Sequence, residues 1–186
     1  SSRDYFFRHP DRFFAFYRAK MLYPGALPNA AHQKLAQWEA EGREIAVITQ
    51  NIDGLHQAAG SKNVVELHGS ALRNRCVGCG RGYGVEKILE GEGVPRCECG
   101  SIIKPDVVLY GEMLDEEAID RAVDALARAD LVIVAGTSLT VYPAAGLIGA
   151  YRGDRLALIN RAPTPIDERA ALLLRGSVGQ VMAALP

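Results

Sequence analysis

The sequence predicts an α/β fold, a Rossmann-like parallel sheet that carries a small cysteine-rich insert. Two apolar, β-branched runs, Ile45–Thr49 and Leu131–Ala135, have the length and content of strands buried on both faces of a parallel sheet. All the cysteines fall within residues 76–99 and interrupt the α/β rhythm. We therefore expect one domain from residues 1–70 and 101–186, with residues 71–100 forming a separate module.

Composition limits the function classes. The chain has 186 residues, 48% hydrophobic and 23% charged, with a net charge of −1. This charge lacks the basic excess of a protein that neutralises many phosphates, so we expect no direct nucleic-acid partner. No apolar stretch approaches the ~20 residues of a membrane span, and the N-terminus does not resemble a signal peptide. We expect a cytoplasmic monomer without membrane association.

The N-terminal segment, residues 1–28, contains every phenylalanine of the chain. Phe13, Phe16 and Tyr17 recur at helical spacing, and Pro24-Gly25 breaks the helix. So dense an aromatic set predicts a helical segment packed on the main domain. The alternative is an aromatic wall of an apolar substrate pocket.

Asn29 is the predicted N-cap of the next helix, which runs to about Glu41. Its apolar face contains Ala31, Leu35 and Trp38.

Polar residues follow two neighbouring apolar runs in the central stretch, residues 45–69. The run Ile45–Thr49 ends at Gln50-Asn51-Ile52-Asp53-Gly54, and Val64–Leu67 ends at His68-Gly69. Ligands of open α/β sheets bind beyond the carboxyl ends of the strands. An amide pair, a carboxylate and an imidazole at two such ends can hydrogen-bond a polar ligand and move a proton. Alternatively these residues only form a turn, with Asp53 capping a helix from Gly54 to Ala59.

The cysteines form a C-x2-C pair, Cys76 and Cys79, and a C-x-C pair, Cys97 and Cys99. Two close pairs about 17 residues apart, each beside glycines, match a four-thiolate zinc site. A disulfide is the alternative, but adjacent C-x-C cysteines do not bridge without strain. Because four protein ligands leave no open position, we expect the zinc to be structural.

The remaining elements continue the α/β pattern. Val107–Tyr110 is a predicted extended segment, and an amphipathic helix follows from about Asp115 to Ala129. The predicted strand Leu131–Ala135 is followed by Gly136-Thr137-Ser138 and then by a predicted helix around Pro143–Tyr151. This order of elements can hold a phosphate at the helix N-terminus. Alternatively, the glycine and the two hydroxyl residues only turn the chain. A further strand is predicted at Leu156–Asn160, and Asn160 at its end could bind a ribose hydroxyl. The last predicted element is a helix from Gly179 to Ala184, which Ser177 caps.

Together these motifs resemble the sirtuins, the family of NAD-dependent protein deacylases. The resemblance rests on TQNIDGLH (Thr49–His56), ELHG (Glu66–Gly69), the paired cysteines, KPDVVLYGE (Lys104–Glu112), GTSLTVYPAA (Gly136–Ala145) and LIN (Leu158–Asn160). It implies a Rossmann-like NAD-binding domain with a structural zinc module. It also implies an NAD-dependent deacetylase that acts on acetyl-lysine proteins or peptides and yields nicotinamide, O-acetyl-ADP-ribose and free lysine.

The resemblance assigns a role to each candidate residue. His68 is the implied general base on the ribose, with Asn51 and Asp53 also catalytic and lining the nicotinamide pocket. The implied NAD-binding set is Gln50, Asn51, Asp53, Gly136, Thr137, Ser138, Asn160 and Val178. The implied acyl-lysine channel is lined by Val108, Tyr110, Gly111, Glu112 and Val141. The implied zinc ligands are Cys76, Cys79, Cys97 and Cys99.

The sequence departs from the family pattern at two places. The family's leading strand, glycine-rich turn and cofactor loop do not occur in it, so we expect a truncated or partial chain with weak NAD binding. Cys97-Glu98-Cys99 is also one residue shorter than the family's second pair.

Three other functions remain open at this point. They are protein mono-ADP-ribosyl transfer, which shares the first chemical step, a Rossmann-type dehydrogenase, and a non-catalytic zinc module that binds a partner. The acyl preference is also open, and simple deacetylation is the expectation.

Overall fold

A computed structural model describes residues 2–186. The α-helices are α1 (Arg3–Arg8), α2 (Pro10–Lys20), α3 (Ala30–Ala40), α4 (Leu55–Ala59), α5 (Glu86–Leu89), α6 (Glu116–Arg128) and α7 (Val178–Ala183). The strands are β1 (Val47–Thr49), β2 (Val64–Glu66), β3 (Gly69–Cys76), β4 (Gly82–Gly84), β5 (Ile103–Val107), β6 (Val132–Ala135), β7 (Leu156–Ile159) and β8 (Leu172–Leu174). Two short 3-10 helices cover Ala144–Ala150 and Asp167–Arg169.

The described residues form two compact units. The first contains residues 2–26, 49–54 and 68–114, and the second contains residues 27–48, 55–67 and 115–186. The first therefore groups the cysteine segment with the aromatic helices. The sequence predicted a cysteine module of residues 71–100 from its composition, whereas the two units are defined by which residues contact one another. The predicted domain bounds therefore stay a prediction.

The first unit is built on an antiparallel sheet in the order β4-β3-β5. The long strand β3 is central, and it pairs from Gly69↔Val107 to Cys76↔Ile103 with β5. A register shift between Ser70 and Asn74 interrupts this pairing. The sequence analysis did not predict β3 or β4, because neither has a clear apolar alternation.

The aromatic helices α1 and α2 supply the core of the first unit. Phe6, Phe13, Phe14 and Tyr17 are almost fully buried, and Phe6 contacts Phe13 edge-to-face at 4.8 Å between ring centroids. The expected helical packing of this segment is confirmed for Phe13 and Tyr17. It is wrong for Phe16, whose side chain lies on the outer face of α2 and is 51% exposed.

The second unit contains the parallel sheet that the sequence predicted, in the order β6-β7-β8. Val132 pairs with Leu156, and Ala157 pairs with Leu172. Its edge strand β8 was not predicted, and Leu172 and Leu173 are exposed. The strands β1 and β2 pair with each other in a separate two-stranded sheet.

Most predicted helix ends in the second unit agree with the structure to within a residue or two. Asn29 caps α3 with hydrogen bonds from the N–H groups of Ala31 and His32, and His32 accepts from the Asn29 N–H in return. Asp115 likewise caps α6, which buries Ala118, Ala122 and Leu126. Ser177 stands at the N-cap of α7, but the predicted side-chain cap is wrong because no capping hydrogen bond forms.

Two other predicted elements differ in position or type. The strand β5 ends at Val107, where the predicted extended segment began, so residues 108–112 form a loop. The predicted helix around Pro143–Tyr151 is the 3-10 helix Ala144–Ala150. Among residues 2–186, no helix has the length and apolar character needed to cross a membrane.

Candidate active site

The polar segment that follows β1 lies beside His68. The Nδ1 atom of His68 is 3.1 Å from the carbonyl oxygen of Gln50, and the Ala71 N–H donates to the Ile52 carbonyl at 2.9 Å. The Asn51 N–H turns back onto Thr49 Oγ1 at 3.0 Å. The structure thus brings together the two strand ends that carry the predicted catalytic residues. Asn51 and Asp53 are exposed there, whereas His68 is half-buried.

The hydrogen bond to Gln50 fixes the tautomer of His68. A carbonyl oxygen only accepts hydrogen bonds, so the proton of the neutral ring must lie on Nδ1. The Nε2 atom is then left with its lone pair and can accept a proton from a hydroxyl. This arrangement leaves Nε2 as the ring atom that can accept a proton.

Gly69 fixes the position of His68 relative to β5. Gly69 has φ +76°, and a Cβ atom there would lie 2.0 Å from the backbone oxygen of Asp106. Only glycine permits both the left-handed conformation and this close approach. The Val108 N–H then donates to the His68 carbonyl at 3.0 Å, so the loop after β5 is attached to the residue that carries the imidazole.

The loop of residues 108–112 contains four of the five predicted acyl-lysine residues. Tyr110 is 74% exposed, and its carbonyl accepts from the Arg3 N–H at 2.9 Å. Glu112, in contrast, is turned inward and accepts from the Leu109 N–H at 3.0 Å. The fifth residue, Val141, is exposed in the second unit.

The predicted NAD-binding residues of the second unit meet at the turn after β6. Gly136 has φ +63°, and its Cβ position would be 3.4 Å from Val178. The Asn160 amide donates to the carbonyls of Thr137 and Ala162 at 3.1 and 3.0 Å. Because both of its N–H groups are used in this way, only the Asn160 Oδ1 atom remains to accept from a ribose hydroxyl.

A helix N-terminus does not contribute to this turn. The Leu139 N–H donates to Thr137 Oγ1 at 3.1 Å, and the next helix begins only at Ala144. Of the two alternatives that the sequence left open, a phosphate site at a helix N-terminus and a simple turn, the structure shows a turn that no helix directly follows. An anion would be held by the turn itself, through its backbone N–H groups and the Ser138 hydroxyl.

The four cysteines converge at the far end of β3. Their sulfur atoms all lie within 4.8 Å of one another, with Cys76–Cys99 at 3.4 Å and Cys79–Cys97 at 3.6 Å. Tetrahedral zinc with Zn–S bonds of about 2.3 Å places its sulfurs about 3.8 Å apart. The four thiols therefore fit zinc, and the shortened Cys97–Cys99 pair still presents both sulfurs. The separations exceed a disulfide bond of about 2.05 Å.

Hydrogen bonds support this cysteine cluster. The N–H groups of Gly78 and Cys79 donate to Cys76 Sγ at 3.4 Å. The Tyr83 hydroxyl donates to Cys97 Sγ at 3.0 Å, and this bond is the largest of several hydrogen bonds that together lower the pKa of Cys97 to about 6. Sequence analysis missed Tyr83, because its only signal is an aromatic residue between the two cysteine pairs.

An ion pair between Lys104 and Glu112 was also not predicted from the sequence. The Lys104 ammonium group lies 3.2 Å from Glu112 Oε2 and links β5 to the loop that follows it. Lys104 stands within a motif quoted above, but its sequence position gives no indication of this contact.

These features define an α/β protein with a parallel sheet, a half-buried histidine at a strand end and a four-cysteine cluster that fits a metal ion. A model of the Sir2 family matches residues 1–143. The chain belongs to the Sir2 family.

Relatives with similar sequences carry a common name. The chain is 55% identical over 183 residues to an NAD-dependent protein deacetylase of Clostridium perfringens, covering 97% of this chain and 75% of the relative. It is 50% identical over 177 residues to an NAD-dependent protein deacetylase of Cutibacterium acnes, covering 95% and 72%.

Solved structures agree with these relatives. A structure described as Sir2 bound to an acetylated peptide has a TM-score of 0.90 and 43% identity, covering 97% of this chain and 79% of the other. A second, described as Sir2 with a p53 peptide and NAD+, has the same TM-score and identity, covering 97% and 78%. The predicted sirtuin fold and family are confirmed.

Proposed function

We propose that this chain is an NAD-dependent protein deacetylase that removes acetyl groups from lysine side chains. The tautomer of His68 is the observation that carries this proposal, because it leaves Nε2 as an acceptor at the end of a strand. The relatives named above, at 50–55% identity, support the same activity.

Four residues of the first unit have proposed roles at the nicotinamide end of NAD: His68, Gln50, Asn51 and Asp53. When bound, NAD supplies an electrophilic ribose carbon and a leaving nicotinamide. His68 Nε2 accepts the proton of a ribose hydroxyl, and the Gln50 carbonyl stabilises the charged ring. Asn51 and Asp53 contact the nicotinamide and its ribose, and the Gln50 side chain contacts the ribose.

The second unit supplies further NAD contacts. Gly136, Thr137 and Ser138 bind phosphate oxygens and the nearby ribose. Asn160 and the backbone near Val178 bind the adenosine end. The Asn160–Thr137 hydrogen bond supports this grouping, because it attaches the adenosine contact to the phosphate turn.

The acyl-lysine substrate contacts the loop after β5 and Val141. Val108, Tyr110 and Gly111 bind the substrate backbone, which adds as an extended strand. Zinc is bound by the four cysteines and stabilises the fold without taking part in the chemistry.

We further propose a cytoplasmic monomer that binds neither nucleic acid nor membranes. The net charge of −1 supports the first exclusion. Size-exclusion chromatography with light scattering tests the monomer, and a dimer mass would contradict it.

The deciding experiment is mass analysis of an acetyl-lysine peptide incubated with the protein, with and without NAD. We expect deacetylated peptide, free nicotinamide and O-acetyl-ADP-ribose only when NAD is present. ADP-ribose attached to protein would identify a transferase instead. A change in nicotinamide absorbance would identify a dehydrogenase, and no product at all would leave only a partner-binding role.

A further inference from the structure

An ion pair of low exposure lies under the loop that follows β5. Lys104 and Glu112 are separated by 3.2 Å, and their side chains are only 18% and 20% exposed. The ion pair Arg73–Asp106 also involves a β5 residue and joins β5 to β3, yet its side chains are 55% and 50% exposed. The two pairs therefore differ in the strength expected of them, since screening by water weakens exposed pairs.

Every hydrogen of the Lys104 ammonium group has a partner within the chain. The Nζ atom donates to the carbonyls of Pro105 and Val107 and to Glu112 Oε2, each at 3.2 Å. It also lies 6.0 Å from the ring centroid of Phe6. An ammonium group has three hydrogens to donate, so no hydrogen of Lys104 remains for a ligand.

Glu112 closes the loop into a short ring. Its Oε2 atom accepts from the Leu109 N–H at 3.0 Å, and its own N–H donates to the Leu109 carbonyl at 2.9 Å. Gly111, inside the ring, has φ +90°. Glu112 thus holds the turn through both its carboxylate and its backbone N–H, and the same carboxylate oxygen accepts from Lys104.

The same loop is attached to the proposed base. The Val108 N–H donates to the His68 carbonyl at 3.0 Å, one residue before Leu109. A change in the loop conformation therefore alters the spacing between the residues proposed to bind the substrate and His68.

We propose that Lys104 and Glu112 form a positioning pair that sets the conformation of residues 108–111 and thereby the affinity for the acetyl-lysine substrate. This inference rests on the proposed function and changes the role of Glu112 from lining the channel to shaping it. Neither residue touches the reacting atoms.

The test compares steady-state kinetics of Glu112→Ala and Lys104→Met with the wild-type protein. Removing one partner leaves the other charge half-buried and without its counter-ion, so we expect the KM for the acetyl-lysine peptide to rise about tenfold or more. The KM for NAD stays within about twofold of wild type, and kcat falls less than the peptide KM rises. Glu112→Gln retains an acceptor for the Leu109 N–H, so we expect a rise of only about twofold to fivefold.

Asp106→Asn is the matched control, because it removes the charge of an exposed ion pair that also involves a residue of β5. Its peptide KM should equal that of wild type. Thermal unfolding of every variant checks the fold, and if Glu112→Ala does not fold, Glu112→Gln and Lys104→Met decide.

Two outcomes overturn the proposal. In the first, Glu112→Ala and Lys104→Met fold and have the same KM for the peptide as the wild-type protein. In the second, the KM values for the peptide and for NAD rise equally, which indicates a general structural role. A wild-type protein without deacetylase activity contradicts the proposed function itself, independently of the variants.

Discussion

The two ends of strand β3 carry different kinds of site. His68 directly precedes Gly69 at one end, and Cys76 closes the other. The strand has eight residues, so its two ends are separated by about 23 Å of extended chain. The cysteine end carries four thiols that fit a structural zinc ion, whereas the histidine end carries the proposed base. Strand β3 therefore has a proposed structural metal site at one end and the proposed catalytic histidine at the other.

Removing the metal should produce the largest effect. Structural zinc contributes roughly 10–16 kcal/mol in small domains, which matches or exceeds a typical domain stability of about 5–15 kcal/mol. We expect chelation, or Cys76→Ser, to abolish the cooperative unfolding of the first unit and the activity together. Circular dichroism melts with parallel zinc analysis measure this.

The control is addition of zinc back to the chelated protein, which should restore the melt. If a zinc-free protein melted at the same temperature as the zinc-loaded one, the cluster would have no structural role.

Substitution at the histidine end should separate chemistry from stability. His68→Tyr removes the base that the Gln50 carbonyl orients, so we expect turnover to fall by ~10²–10⁴-fold. Because His68 is only half-buried, the melting temperature and zinc content should stay near wild type. Nicotinamide release and thermal melts are measured on the same sample. Turnover like that of wild type would eliminate His68 as the base.

Gly69→Ala should affect both properties. The new Cβ atom would lie 2.0 Å from the Asp106 backbone oxygen, and the residue would keep φ +76°. Steric crowding and the left-handed conformation together should lower the free energy of unfolding by roughly 2–4 kcal/mol. Chemical denaturation measures this change. Gly80→Ala is the control, because it also has a positive φ but no atom within 4 Å of its Cβ position, and an equal loss in both variants would show that crowding is unimportant.

The cysteine end was predictable because its signal is local. Four thiols at close spacing identify a metal site whatever the surrounding fold. The parallel sheet of the second unit was predictable for a similar reason, since β6 and β7 are continuous apolar runs. The edge strand β8 escaped because its leucines are largely exposed and follow no alternation.

The histidine end was only partly predictable. The polar residues beyond two apolar runs indicated a site, but the hydrogen bond from His68 to Gln50 joins residues 18 apart. The inward turn of Glu112 depends on Lys104, a contact that no periodicity encodes. Tertiary hydrogen bonds of this kind set the orientation of a side chain. Sequence patterns indicate only which element the residue belongs to, so they do not predict that orientation.

The smallest predicted effect returns to the cysteine end, at Tyr83. Its hydroxyl donates to Cys97 Sγ at 3.0 Å, and this bond is the largest of several hydrogen bonds that together lower the pKa of the metal-free Cys97 thiol to about 6. A thiol whose pKa is lowered on folding contributes stability above its unfolded pKa, here about 9, and loses it as the pH falls through about 6. Tyr83→Phe removes a bond worth about 1 kcal/mol, which should move acid-induced zinc release upward by about 0.7 pH unit.

A chromophoric chelator follows this release during a pH titration. Tyr23→Phe is the control, because the Tyr23 hydroxyl donates to the Lys20 carbonyl and not to a cysteine. Deacetylation above pH 8 should be the same in both variants, since the thiolates are then bound to zinc without help from Tyr83. If the release midpoint of Tyr83→Phe coincided with that of Tyr23→Phe, the hydrogen bond would not control Cys97, and the metal end of β3 would depend on spacing alone.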